Sequence, residues 1–252
     1  MSAAAPAAAT LRWDCAQLRW RAAPAGPLTE GWTPCTALLT PGSAELERQL
    51  ALIAERHCAT RLSVSASLLL ERHAWSLASA GFDALLGEGR VPDLGAANVA
   101  VQLDGDGFAA SLLLVEPRLE PVPAGDPLPP LARGLLDAHL LPLVERLAER
   151  GVHRGRRALL CLVADALVAG LAGAAAATGC SIAGATRLGS AVAGLLGTPP
   201  GLHPRLLPVD GGLVRKRAVC CLLHTERAVH CDTCPHLSDA ETVRRTRETS
   251  RR

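Results

Sequence analysis

The stretch from Asn98 to Val115 reads NVAVQLDGDGFAASLLLV. Val99, Val101 and Leu103 alternate with small or polar residues, the period of a half-buried strand. Asp104-Gly105-Asp106-Gly107 interrupts the alternation, and Phe108 to Val115 then runs apolar. Strand, glycine-rich turn and strand make a β-hairpin. The segments around it carry a helical period, so this stretch moves the expected fold from all-α to α+β. The expected protein is a mainly helical body with a small antiparallel hairpin or sheet, followed by a cysteine-rich C-terminal segment.

On the N-terminal side, Ser43 stands where an N-cap belongs, with Glu45 and Glu47 in the first turn behind it. Leu46, Leu50, Ile53 and Ala54 then recur at helical spacing to about His57. A second helix is predicted from about Ser65 to Leu86, ending at Gly87. Residues 1–42 read as an Ala/Pro-rich lead-in with short helical pieces, in which Trp13, Trp20 and Trp32 are scattered.

On the C-terminal side, proline-dense Glu116 to Pro130 predicts a connector without regular structure. Helices are expected at about Leu131 to Arg150 (kinked at Pro142), Arg156 to Ala177 and Ile182 to Leu196. Residues 43–197 thus form the body. Thr198 to Gly212 breaks it from the cysteine segment, with a further strand expected near Leu206 to Val219. Residues 198–236 make the linker and the cysteine segment, and 237–252 a charged tail.

With 49% apolar and 20% charged residues among 252, the chain can bury a sizeable core. It has four Trp, two Phe and no Tyr, too few aromatics for a base-stacking platform, and its net charge of +2 announces no nucleic-acid partner. The N-terminus lacks a basic cluster and an apolar stretch, so a cytoplasmic, reducing location is expected, where clustered cysteines bind metal more often than they form disulfides. Ala158 to Ala185 is long enough to span a bilayer. Asp165 and a Thr-Gly-Cys-Ser break favour a buried core helix instead, and no transmembrane span is expected.

Residues 220–234 read CCLLHTERAVHCDTC. Cys220 and Cys221 are adjacent, and Cys231 and Cys234 form a Cys-x-x-Cys pair. The other five cysteines, Cys15, Cys35, Cys58, Cys161 and Cys180, stand singly and read as small buried apolar residues. Four thiolates satisfy a [2Fe-2S] cluster. They also satisfy zinc, although zinc pairs are normally spaced by two to four residues, which counts against an adjacent pair. A vicinal disulfide beside a redox Cys-x-x-Cys would want a βαβ context that is not evident. An adjacent pair needs a turn or helix end to aim both sulfurs at one centre. His224, His230 and His236 read as solvated or flanking residues, though any of them is able to replace a cysteine. Arg215, Lys216 and Arg217 bring positive charge beside an anionic centre.

Elsewhere the chemistry is thin. Gly87-x-Gly89 is no dinucleotide fingerprint, and there is no P-loop, His-Glu-x-x-His or Gly-x-Ser-x-Gly. Asp104 and Asp106 resemble part of a calcium loop, but a hairpin turn explains them better. His73 and His139 read as hydrogen-bonded residues at the edge of the core. Asp165 reads as paired with a nearby arginine. No acid, base or nucleophile stands out as catalytic.

The cysteine segment resembles the ferric-siderophore reductase family (FhuF-like), whose signature is Cys-Cys, ten residues, then Cys-x-x-Cys; here nine residues separate the pairs. SASLLLERHAWSLASAGFDALLGEGRVPDL, from Ser65 to Leu94, and the helix opening at Arg156-Arg157-Ala158-Leu159-Leu160 also resemble family segments. The likeness spans about two-thirds of the chain loosely. It lacks the Gly-rich Tyr-Tyr-type sequence common between the cysteine pairs of relatives. A one-residue loop deletion is normally tolerated. The resemblance implies a [2Fe-2S] cluster on Cys220, Cys221, Cys231 and Cys234. It implies a ferric siderophore, of hydroxamate type, as substrate, reduced by one electron. A separate donor, such as a ferredoxin or a reduced flavin system, would refill the cluster. The alternatives are a zinc-stabilised binding module without redox chemistry and a cluster-based iron or redox sensor.

Overall fold

The computed structural model describes residues 10–23, 31–122, 128–210, 212–227 and 229–250. Parts of the expected lead-in (1–9 and 24–30) and of the proline-dense connector (123–127), Gly211, Ala228 and the last two residues lie outside the described residues.

The fold is α+β, with antiparallel sheets beside a helical core. Three strands come first: β1 (Thr10–Asp14), β2 (Arg19–Ala23) and β3 (Trp32–Pro34), then a short helix α1 (Cys35–Leu39). The reading of this region as a lead-in with helical pieces therefore fails over most of its described part. Its tryptophans are packing residues. Trp13 is buried, Trp20 meets it edge-on at 5.5 Å, and the Trp20 indole N–H donates to Ala80 O at 3.2 Å.

Helix α2 (Ala44–His57) begins as expected at Ser43, whose hydroxyl accepts the Leu46 N–H at 3.0 Å. Helix α3 (Leu62–Glu88) is apolar nearly all round and largely buried. A short β4 (Arg90–Pro92) precedes the predicted hairpin, which forms as β5 (Val99–Leu103) and β6 (Ala109–Leu114) with an irregularity at Gln102/Leu103. Its turn is held by the Asp104 carboxylate, which accepts the amides of Asp106 and Phe108 at 3.0 and 2.9 Å. The hairpin sits inside a larger sheet of order β2-β1-β6-β5-β3, all antiparallel.

The proline-dense connector is not wholly irregular: β7 (Leu119–Pro121) pairs with β4, and a turn of helix, α4 (Leu128–Leu131), closes it. The kink expected at Pro142 takes the form of a π-helical segment, Ala132–Leu140, running into α5 (Leu141–Glu149). Pro142 has no N–H to give the carbonyl one turn back. That carbonyl, Ala138 O, accepts the Ala96 N–H at 3.2 Å instead.

Helix α6 (Arg156–Thr178) has the length and hydropathy to cross a membrane, yet 83% of its most apolar window is buried in the protein, and it is the core helix the sequence predicts. It crosses α3 at Gly170, where an added Cβ would lie 2.7 Å from both Ala78 Cβ and Ser79 N. Only glycine permits that approach. Helix α7 (Ile182–Leu195) follows. The expected strand beyond it is a two-stranded hairpin, β8 (Arg205–Val209) and β9 (Gly212–Lys216). A single turn of helix, α8 (His224–Arg227), lies between the cysteine pairs, and α9 (Asp239–Ser250) ends the described chain.

Candidate metal centre

Strand β9 delivers the chain to the first cysteine pair, and buried side chains of the body fix where it arrives. Asp165, fully buried in the middle of α6, accepts the amides of Ala218 and Val219 at 2.8 and 3.2 Å. The Arg154 guanidinium donates to Cys220 O at 2.5 Å and to Ser67 Oγ at 3.0 Å. Asp165 was expected to pair with an arginine. Its carboxylate holds backbone amides instead, and Arg215 donates to its main-chain oxygen at 2.9 Å. Burial raises its pKa to about 6, against the lowering influence of Arg215 and the Ala218 amide.

The adjacent pair converges through the turn that geometry demands. Leu222, directly after it, is left-handed at φ 69°. Its N–H donates to Cys220 Sγ at 3.3 Å, and the Leu223 amide is aimed at Cys221. Glu226 of α8 accepts from Thr60 Oγ1 and Arg61 Nε, each at 3.0 Å, while Arg227 donates to His57 O at 3.1 Å. The loop between the pairs is thus tied to the α2–α3 corner of the body.

The four sulfurs meet. Cys220 and Cys231 both hydrogen-bond to Cys221, and the ligand atoms of Cys220, Cys234 and His236 lie within 4.8 Å of one another. Cys221 and Cys234 are buried, and Cys220 and Cys231 are half-buried. The hydrogen bonds from the Cys220 and Cys231 thiols, with Arg217 close by, hold the Cys221 pKa far below the ordinary thiol value. Their own values rise, because each gives its proton to that bond and is partly desolvated. A metal would take the place of those shared protons.

Behind the sulfurs lies a buried ion network. Glu71 of α3 pairs with both Arg215, at 3.1 Å, and Arg217. Arg217 Nε also donates to Thr233 Oγ1 at 3.1 Å. Arg217 Nη1 is buried with no protein acceptor among the described residues, and the guanidinium feels the charges of Cys231 and Cys221. A buried donor left without a partner is costly unless something absent supplies one. The inorganic sulfide or thiolates of an anionic cluster would do so. Lys216 turns the other way, donating from Nζ to Cys234 O at 2.8 Å and to Thr242 Oγ1 at 3.2 Å.

Three imidazoles cover the outer side. His224 and His230 approach Cys220 Sγ and Cys234 Sγ with Nδ1 at 3.3 and 3.4 Å, and the rings of His224, His230 and His236 stand 5.0 to 5.7 Å apart. The charged tail is not simply solvated. Thr242 is fully buried, and Arg245 donates to His230 O at 3.0 Å, bracing the cysteine loop. A polar cavity of about 310 Å³ lined by Asp232, Arg244, Arg245, Glu248 and Thr249 borders that loop.

Cys220, Cys221, Cys231 and Cys234, singled out by spacing, are therefore brought together, and Cys220 and Cys234 with His236 form a group able to hold a metal ion. Sequence reasoning missed Glu71, Arg154 and the cradling role of Asp165. A lone acidic residue within an apolar helical run was the available signal for two of them. A second group, Cys35, His73 and His139, is buried in the body. No protein-family model matches the chain, and no curated protein matches it.

Proposed function

We propose that this chain is a ferric-siderophore reductase whose C-terminal thiolates hold a [2Fe-2S] cluster. The observation that carries the reading is the convergence of Cys220, Cys221, Cys231 and Cys234 in front of Arg217 Nη1, a buried donor with no protein acceptor among the described residues. Bound there, the cluster supplies one-electron exchange, the step that converts chelated Fe(III) to Fe(II). Fe(III) is a hard cation held by oxygen donors such as hydroxamates, and Fe(II) is held more weakly.

The chain's own residues prepare that exchange. The Leu222 and Leu223 amides and the Arg217 guanidinium place positive dipoles and charge against the sulfurs, which favours an added electron. Leu222 and Leu223 pack on the core and keep water from the inner side. The histidine side is the approach for substrate, with the cavity beside Asp232, Arg244 and Arg245 as a docking place for polar chelator groups. The sequence contains no nucleotide-binding motif, so a ferredoxin or reduced flavin system is the proposed donor, in the cytoplasm. The test is to reduce the anaerobic protein, mix it with a ferric hydroxamate and trap Fe(II) with a chromogenic chelator. Failure to release Fe(II) with the cluster reduced removes the reductase role.

One observation favours a second reading. His236 lies within ligand range of Cys220 and Cys234, a mixed nitrogen and sulfur set that suits zinc. In that reading the segment is a zinc-stabilised binding module, and stoichiometric zinc in a colourless protein would establish it.

A further inference from the structure

Away from the C-terminal thiols, a second set of soft donors lies in the middle of the body. Cys35 opens α1 directly after β3, His73 lies midway along α3, and His139 sits near the end of the π-helical segment. All three are buried, and one donor atom from each lies within 4.8 Å of the other two.

The hydrogen bonding fixes which atoms face inward. His139 Nδ1 is 2.7 Å from Leu94 O, and since a carbonyl only accepts, Nδ1 carries the proton and Nε2 keeps its lone pair. Fixing the distal ring nitrogen on a carbonyl is the usual support of a metal-ligating histidine. His73 Nε2 faces that lone pair at 2.9 Å. Without metal, the His73 Nε2–H donates to it. That bond accounts for the two imidazoles, but it leaves unexplained why a thiol joins them. The π-helical turn that carries His139 is a further sign, because such turns recur at functional sites.

Charge selects the ion. Burial is the largest influence on all three groups, and among the described residues the one charge effect on them is that of His139 on His73, from within the group. No carboxylate belongs to the group, so a divalent cation on one thiolate and two neutral imidazoles would leave net positive charge in apolar surroundings, which is costly. A monovalent cation leaves none. Three donors also fall one short of a structural zinc site, and thiolate with imidazole suits soft ions.

We propose that Cys35, His73 and His139 form a buried three-coordinate site for a soft monovalent cation of the Cu(I) kind. On binding, the Cys35 S–H bond breaks, a sulfur–copper bond forms and one proton leaves to solvent. The His73 ring proton moves from Nε2 to Nδ1, which frees the Nε2 lone pair for the metal. No electron changes hands.

The test is an anaerobic Cu(I) titration of the reduced full-length chain against a competing chromophoric Cu(I) chelator. The C-terminal thiols also take Cu(I), so the readout is a difference: Cys35→Ser and His139→Gln should each hold one equivalent fewer than the parent. Equal copper in parent and folded variants overturns the proposal. A complementary arm removes the other site. A chain carrying Cys220→Ser, Cys221→Ser, Cys231→Ser and Cys234→Ser together should retain one tight Cu(I) whose X-ray absorption shows one sulfur and two imidazole nitrogens, resistant to excess Zn(II). A folded chain of that kind with no tight Cu(I), or with copper displaced by Zn(II), overturns it equally, even where Cys35→Ser fails to fold.

Discussion

Two groups of cysteine and histidine side chains sit in this protein, and their surroundings differ in almost every respect. The C-terminal group lies within one short stretch, is half open to solvent and is backed by Arg154, Arg215, Arg217, Glu71 and Asp165. The inner group draws Cys35, His73 and His139 from three separate elements, and among the described residues no carboxylate, lysine or arginine acts on it. The first is an environment that stabilises accumulated negative charge, and the second tolerates none. On the two proposals above, similar ligands are steered to different ions by what stands behind them.

Predictions follow from that contrast, the largest first. Cys221→Ser removes the sulfur hydrogen-bonded to two others, and should abolish metal retention at the C-terminus, read as loss of iron and of visible absorption. Glu71→Ala strands Arg215 and Arg217 without their buried counter-charge and should cost about 3–5 kcal/mol in denaturant unfolding. An equivalent loss is not expected from Cys35→Ala, a small truncation in an uncharged setting; if both cost the same, the contrast in electrostatics fails.

Asp165 sharpens the comparison through pH. Its folded pKa, about 6, lies above the ordinary 3.8, so the folded chain binds the proton more tightly than the unfolded one. The stability this provides is complete below about pH 3.8 and is lost as pH rises through about 6. The parent's stability relative to Asp165→Asn should therefore fall by on the order of 3 kcal/mol between pH 4 and 7. A pH-independent difference would show that the carboxyl is not buried as described. Smallest is Ser43→Ala, which removes the α2 cap, a residue that belongs to neither group. About 1 kcal/mol of stability should go, with metal content unchanged.

The parts of the fold legible in sequence are those specified by neighbours. The alternation of Val99, Val101 and Leu103, the Asp104 turn and the Ser43 cap are local signals, and they formed as read. β1 escaped although β2 beside it is a local partner, because its few residues show too little alternation to announce a strand and its other partner, β6, lies far along the chain. The same division holds at the candidate metal centre. Adjacent and Cys-x-x-Cys pairs are visible as spacing, whereas Glu71, Arg154 and Asp165 act across long separations that only the packing of α3 on α6 creates. Cys35, His73 and His139 are the extreme case, since no spacing joins them. In the tail, charged composition hides Thr242 and Arg245, whose partners lie on β9 and the cysteine loop.

The central claim is that four C-terminal sulfurs hold an iron–sulfur centre, and its most direct test is iron, acid-labile sulfide and zinc analysis of anaerobically purified protein. The account predicts a reddish-brown sample with iron and sulfide in equal amounts, both lost together with its visible absorption in Cys221→Ser. A colourless protein carrying stoichiometric zinc and no sulfide would contradict it.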